Sequence, residues 1–231
     1  MSMNANFDKR VLIRTQIQPW QASPMPGVER RILDRVGGEV ARATSIVKYA
    51  PGSRFSPHVH TGGEEILVLD GVFQDEHGDY PVGSYLRNPP QSRHTPGSAP
   101  GCVILVKLWQ FDLSDRTQVR VNYLNETPAD SPEAAGIRQL LLHEDEFESV
   151  CIQYWNPGCK AQFSVPGGAE VLVLSGQWYQ QSDCLQQHDW LRIPVNSTLS
   201  AHAGPQGACI WFKRGHLRQV ARDLHNLSAQ S

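Results

Sequence analysis

No stretch of the 231-residue chain reaches the roughly 18 consecutive apolar residues that a membrane-spanning helix requires. The early charges Asp8, Lys9 and Arg10 are followed by no apolar leader region. The sequence therefore reads as neither exported nor membrane-embedded, and a cytoplasmic location with no membrane partner is expected. Positive charge is not in surplus either. The 21 Lys and Arg against 23 Asp and Glu give a net charge of -2, which leaves no basic footprint for a phosphate backbone, so no nucleic-acid partner is expected. Cysteine is sparse and scattered: no two of Cys102, Cys151, Cys159, Cys184 and Cys209 are closer than eight positions. That spacing excludes a C-x-x-C zinc or redox motif and argues against a disulfide framework, so reduced, buried thiols are expected. There is no G-x-S-x-G, no Walker sequence and no dinucleotide glycine fingerprint, which removes the hydrolase-triad, NTPase and Rossmann readings.

What the chain does have is turns. Its 19 Gly and 16 Pro exceed what a helical bundle carries and point to β structure. Arg42 to Tyr49, Ile66 to Leu69 and Val103 to Trp109 are short apolar or β-branched runs, bounded by Gly or Pro, that read as strands of a sandwich or jelly-roll barrel. The C-terminal tail differs. Leu217, Val220, Leu224 and Leu227 recur three or four apart, with Arg218, Arg222 and Asp223 falling elsewhere, so a short amphipathic helix docked on the barrel is expected.

The sequence also repeats itself. Glu65-Ile66-Leu67-Val68-Leu69-Asp70-Gly71 returns as Glu170-Val171-Leu172-Val173-Leu174-Ser175-Gly176, a shift of 172 − 67 = 105. The same shift carries Gly62-Gly63 to Gly167-Gly168, Tyr49 to Tyr154, Leu86-Arg87 to Leu191-Arg192 and Pro89 to Pro194. A single register held over some forty positions marks a duplicated domain. The polar stretch Asn125 to Glu133, with two prolines and three acids, reads as the linker between barrels at 1–124 and 134–231. The fold class expected is all-β, a tandem double-stranded β-helix with a short C-terminal helix.

The first copy carries a set of metal-type donors that the second lacks at the corresponding positions. His58-Val59-His60 places two imidazoles on one face of a strand. With Gly52, Glu64 and Gly71 it makes G-x5-H-x-H-x3-E-x6-G, and Gly83, Pro89 and His94 make G-x5-P-x4-H. Together these resemble the two motifs of the cupin superfamily, in which two His and one Glu of the first motif and the His of the second bind a metal inside the barrel. The resemblance thus implies His58, His60, Glu64 and His94 as ligands. Two positions depart from the pattern: Gln91 stands where a glycine is expected and Ser98 where an asparagine is expected, and neither is a ligand position. Imidazole and carboxylate suit Zn, Fe, Mn, Ni or Co, and three neutral His with one Glu carry a single negative charge that a divalent cation outweighs. Glu65 is the rival carboxylate, but it persists as Glu170 while Glu64 becomes Ala169. At the other ligand positions the second copy has Phe163, Val165 and Leu199. One barrel is expected to hold metal and the other to be an apolar scaffold. His77, in a polar hairpin, reads as a turn residue, and Lys107 and Lys213 read as edge-strand or interface lysines.

More narrowly, residues 20 to 110 are similar to the cupin domain of ChrR-type bacterial anti-sigma factors. The similarity rests on Trp20 through Pro26-Gly27-Val28, on Arg31-Ile32-Leu33, on Tyr49-Ala50-Pro51-Gly52-Ser53 and on the His58, His60, Glu64, His94 spacing. In that family the cupin domain binds zinc and helps the protein respond to singlet oxygen and hydroperoxides. Inhibition of the sigma factor comes mainly from a separate N-terminal domain with an H-x3-C-x2-C motif, which is absent here and for which the N-terminal region is read as too short. The resemblance implies a sensor or regulatory module for an oxidant or small ligand, linked to a transcriptional stress response, with zinc as first candidate ion and iron, manganese or nickel behind it. A regulatory protein partner and a homodimer through barrel edges are family-level expectations. The alternative is a metal-dependent small-molecule dioxygenase of the acetylacetone-cleaving type; no general base stands out in the sequence, and no catalytic residue is assigned.

Overall fold

A computed structural model describes residues 2–229. Apart from short 3-10 turns and one C-terminal helix, the regular structure of the described residues is antiparallel strand, and the chain falls into two compact units. The first unit holds residues 2–5, 19–125 and 221–229, and the second holds 6–18 and 126–220.

In the first unit the main sheet runs in the order Ser2–Met3, Val28–Gly37, Ala41–Tyr49, Cys102–Leu108, Glu64–Asp75, Ser84–Asn88, Val119–Asn122. Smaller ladders complete the barrel: Ser53–Arg54 with Gly97–Ser98, Gly78–Pro81 with the end of Glu64–Asp75, and a separate two-stranded sheet of His58–Val59 with Arg93–His94. The interior is apolar, formed by Ile66, Val68, Phe73, Leu86, Ile104 and Val106 with Tyr49 and Cys102.

The second unit repeats the scheme. Its order is Ala129–Asp130, Ile137–Glu144, Ser149–Trp155, Ser197–Arg214, Ala169–Gln180, Trp190–Ile193, Val11–Ile13. Phe163, Val165, Ala169 and Leu199, the positions that correspond to the four donors, are at most 2% exposed and pack with Trp155, Trp178 and Phe212 in one apolar core. This barrel is filled by its own side chains.

The duplication extends to a buried polar row across three strands. Glu65 pairs with Arg87 on one side and Lys107 on the other, and Glu170 likewise with Arg192 and Lys213. All six are buried. Directly paired residues share a face, so this row lies on the face opposite to Glu64 and Ile66. Lys107 and Lys213 are therefore not edge lysines. Lys107 sits in a strand flanked on both sides and donates from Nζ to Thr44 Oγ1 at 2.9 Å, while Lys213 Nζ is 2.9 Å from Glu148 Oε2. A buried ammonium needs such partners, and both have them.

Three expectations about the ends of the units change. Val11–Ile13 belongs to the second barrel, where it covers Trp190–Ile193 as Val119–Asn122 covers Ser84–Asn88 in the first. A three-residue apolar run carries no label for which sheet edge it will close. The chain passes from one unit to the other after Asn125, but Ala129–Asp130, between the two prolines of the supposed linker, pairs with Arg138 and Gln139 as an edge strand. The C-terminal helix Val220–Ser228 forms as the periodicity implies, and from Ala221 on it is grouped with the first unit. Its Asp223 is not on the solvent side: it is buried, and Arg42 Nε donates to its Oδ2 at 3.2 Å.

Candidate metal centre

Strand alternation and one glycine turn assemble the candidate site. His58 lies in a two-residue strand directly paired with His94, and Gln91 N donates to His60 O at 2.8 Å to close the same region. Gly62-Gly63 then reverses the chain. A Cβ on Gly62 would stand 2.1 Å from the Trp109 ring, so only glycine lets Trp109 close over this turn, and Gly63 adopts φ +77°. The turn delivers Glu64 to the start of the next strand on the inward face, beside the incoming His94.

The four donors meet. One ligand atom from each of His58, His60, Glu64 and His94 lies within 4.8 Å of all the others. Glu64 Oε2 is 3.4 Å from His60 Nε2 and 3.4 Å from His94 Nε2. The imidazole centroids are 4.5 to 5.1 Å apart and the rings stand nearly perpendicular in pairs. His60, Glu64 and His94 are buried, and His58 is the least buried of the four.

Three of the donors are oriented by hydrogen bonds of their own. His58 Nδ1 donates to Ser56 O at 3.1 Å, His94 Nδ1 donates to Asp75 Oδ2 at 3.3 Å, and Asn88 Nδ2 donates to Glu64 Oε2 at 3.2 Å. Holding the far ring nitrogen fixes the tautomer that leaves Nε2 as a lone-pair donor. Sequence reasoning missed Asp75 and Asn88. Asp75 was passed over because a β-bulge at Leu69 sets the register: Val103 pairs with Asp70 but Ile104 with Val68, so inward positions change from 64, 66 and 68 to 73 and 75. Strict alternation would have pointed Gln74 inward instead.

Electrostatics favour neutral imidazoles here. Burial, helped by the neighbouring His58, lowers His60 to about 4. Burial also lowers His94, against the pull of the Glu64 carboxylate, and raises Glu64, against the pull of His94, His58 and Asn88. Nearby, burial holds the Tyr49 phenol well above its ordinary range, which keeps it an O–H donor. His60 Nε2 and His94 Nε2 are buried with no hydrogen-bond partner. Two orphaned lone pairs in an apolar barrel are costly, and a cation between them would satisfy both nitrogens and balance the charge of the Glu64 carboxylate they face. The residues fit a divalent ion.

A second group, His143, Asp145 and Glu148, also has donors in mutual reach. There Lys213 already supplies the positive charge to Glu148, and Asp145 Oδ1 accepts the backbone N–H groups of Phe147 and Glu148. It reads as an ion-pair cluster. The cysteines are all free, and burial pushes Cys102 up to about 11 and Cys151 and Cys209 to about 12. Thiols of that kind are poor nucleophiles at neutral pH. Among the described residues no helix is long and apolar enough to cross a membrane.

Residues 8–112 match the family described as the ChrR cupin-like domain. No match is found among curated proteins. Similar solved structures cover most of the chain. A Nostoc punctiforme PCC 73102 protein named as a candidate dioxygenase has a TM-score of 0.71 at 18% identity, covering 90% of this chain and 82% of its own. The Escherichia coli pirin YhhW in complex with nickel(II) has a TM-score of 0.63 at 13% identity, covering 90% and 99%. A Leptotrichia buccalis cupin 2 conserved barrel domain protein has a TM-score of 0.60 at 12% identity, covering 92% and 98%. At these identities the likeness is one of fold.

Proposed function

For this chain, a member of the cupin superfamily with a first half like the ChrR cupin domain, we propose the role of a metal-dependent sensor or binding module: His58, His60, Glu64 and His94 hold one divalent ion, and an oxidant or small ligand is read at that ion. The observation that carries this reading is the pair of buried, unpartnered nitrogens, His60 Nε2 and His94 Nε2, each 3.4 Å from Glu64 Oε2. Zinc is the ion we favour. The likeness of residues 8–112 to the ChrR cupin-like domain is what favours it.

The ion would supply a Lewis-acidic centre whose ligand set responds to what reaches it. The protein supplies the rest. His58, the least buried donor, gives a small molecule access; the interior around the donors is otherwise apolar, and the further carboxylate beside them, Asp75, is already engaged by His94, His77 and Tyr80. His58–Val59 and Arg93–His94 form a ladder of only two residue pairs, too small to be stable by itself. Binding of one ion by His58 and His94 would hold that ladder, and a change at the ion would loosen it. This gives a sensor a structural output. The raised buried thiols argue against a cysteine-based response. A regulatory protein as recipient of the signal, in a transcriptional response to oxidative stress, is the part of the proposal carried by the ChrR likeness.

A dioxygenase is the second reading, favoured by Tyr49, a buried phenol close enough to feel the Glu64 charge and able to donate to a bound substrate. Metal analysis of protein purified without an affinity-tag nickel column, followed by oxygen-uptake assays on β-diketones, separates the two. Stoichiometric zinc and no oxygen uptake supports the sensor. Iron or manganese with oxygen consumption overturns it in favour of the enzyme.

A further inference from the structure

We propose that Asp75 is a positioning residue of the metal centre, fixing His94 in the tautomer that turns Nε2 to the ion and supplying the second negative charge that makes a divalent centre neutral. The inference rests on the reading of His58, His60, Glu64 and His94 as ligands.

The Asp75 side chain is 1% exposed, and each of its oxygens is used. Oδ2 accepts from His94 Nδ1 at 3.3 Å, and Oδ1 accepts from the backbone N–H of His77 at 2.7 Å and from Tyr80 Oη at 3.2 Å. A group that only accepts, from three donors, is used as a carboxylate. Its neighbours hold the segment that delivers His94. Gln74 Oε1 accepts from Ala99 N and Glu76 Oε2 from Thr95 N, both at 2.7 Å. Three consecutive side chains of one hairpin thus fasten residues 94–99.

The second barrel provides a control within the same chain. The 105 shift puts Gln180 at the place of Asp75, Leu185 at Tyr80 and Ile193 at Asn88, while Leu199 replaces His94. Gln180 is buried but serves another partner: Arg10 Nε donates to its Oε1 at 2.8 Å. Residues that serve the β scaffold persist in both copies, as Glu65 and Glu170 or Gly71 and Gly176 do. Asp75 and its partners were lost together with the ligands, as expected of residues that serve the ion. Charge agrees. Three neutral imidazoles, Glu64 and a divalent ion sum to +1, and Asp75 brings the sum to zero inside a barrel lined by Ile66, Val68, Phe73 and Leu86. An uncompensated charge in such surroundings is expensive.

The test uses the full chain as wild type, Asp75→Ala and Asp75→Asn, stripped of metal and titrated with zinc and, separately, cobalt(II) for its visible bands. The expected result is a loss of about 10- to 100-fold in zinc affinity for Asp75→Ala, the range found when an outer-shell partner of a metal histidine is removed. Asp75→Asn, whose amide oxygen can still accept from Nδ1 but carries no charge, should recover part of the loss, and both variants should shift the cobalt bands. Wild-type zinc affinity and wild-type cobalt bands in Asp75→Ala overturn the inference, and so does a lower melting temperature without either change. If Asp75→Ala does not fold, Asp75→Asn decides on the same two readouts. A wild-type chain that binds neither ion overturns the ligand reading itself, before Asp75 is at issue.

Discussion

Glu64 and Glu65 are adjacent in the chain and serve opposite faces of one strand: Glu64 Oε2 lies 3.4 Å from two imidazole nitrogens, while Glu65 Oε1 accepts the Tyr85 hydroxyl at 3.0 Å. The two carboxylates should therefore fail differently. Glu64→Gln should lose bound metal while the metal-free protein melts close to wild type. Glu65→Gln should keep one equivalent of metal and lose stability, by about 1–3 kcal/mol for a disturbed buried hydrogen-bonded group. Metal content and metal-free melting curves of the two variants check this.

Gln91 adopts φ 71° in the turn that leads to His94, at the position where the resemblance led us to expect glycine. A side chain in the left-handed region costs roughly 1–2 kcal/mol, offset in part by the greater chain entropy of glycine in the unfolded state. Gln91→Gly should stabilise the protein by up to about 1 kcal/mol, read in denaturant melts, with no loss of metal.

His60 makes its own contribution to the pH dependence of the metal-free protein, beside the lowered His94 and the raised Glu64. Its folded value of about 4 lies below the ordinary histidine value of 6.5, so below pH 6.5 the unfolded chain takes up a proton that the folded chain refuses. Stability should fall as pH drops from about 6.5 towards 4, by roughly 3 kcal/mol if the full shift is expressed. Replacing His60 with Gln should make this part of the profile shallower, leaving the His94 contribution, which urea melts between pH 7 and pH 4 would show.

Burial of Cys102, Cys151 and Cys209 leads to a fourth expectation. Their values of about 11 and 12 keep them as thiols at pH 8, where a free cysteine is partly ionised. In the native protein a thiol reagent at pH 8 should label at most the two half-buried residues, Cys159 and Cys184, and in denaturant all five.

How much of this was legible in the sequence depends on range. The duplication could be read because its 105-residue register is a property of the string, and the convergence of His58, His60, Glu64 and His94 because short strands and a Gly-Gly turn fix their spacing. The row of Glu65, Arg87 and Lys107 could not, since three separate segments meet there only through sheet order, and Lys107 was accordingly misplaced on an edge. Asp75 was hidden by the bulge at Leu69, which reverses the alternation between it and Glu64. Val11–Ile13 was hidden because nothing local tells a short apolar strand which open sheet edge it will close. Asp223 looked solvent-facing because helical periodicity knows nothing of the buried Arg42 that awaits it.

The most direct test is crystallographic: anomalous diffraction from the native protein, collected above and below the zinc absorption edge. The account predicts one peak per chain, about 2.1 Å from the Nε2 atoms of His58, His60 and His94 and from a Glu64 oxygen, and none among Phe163, Val165, Ala169 and Leu199. A peak in the second barrel, or His60 and His94 nitrogens with no ion between them in fully metal-replete protein, would contradict it.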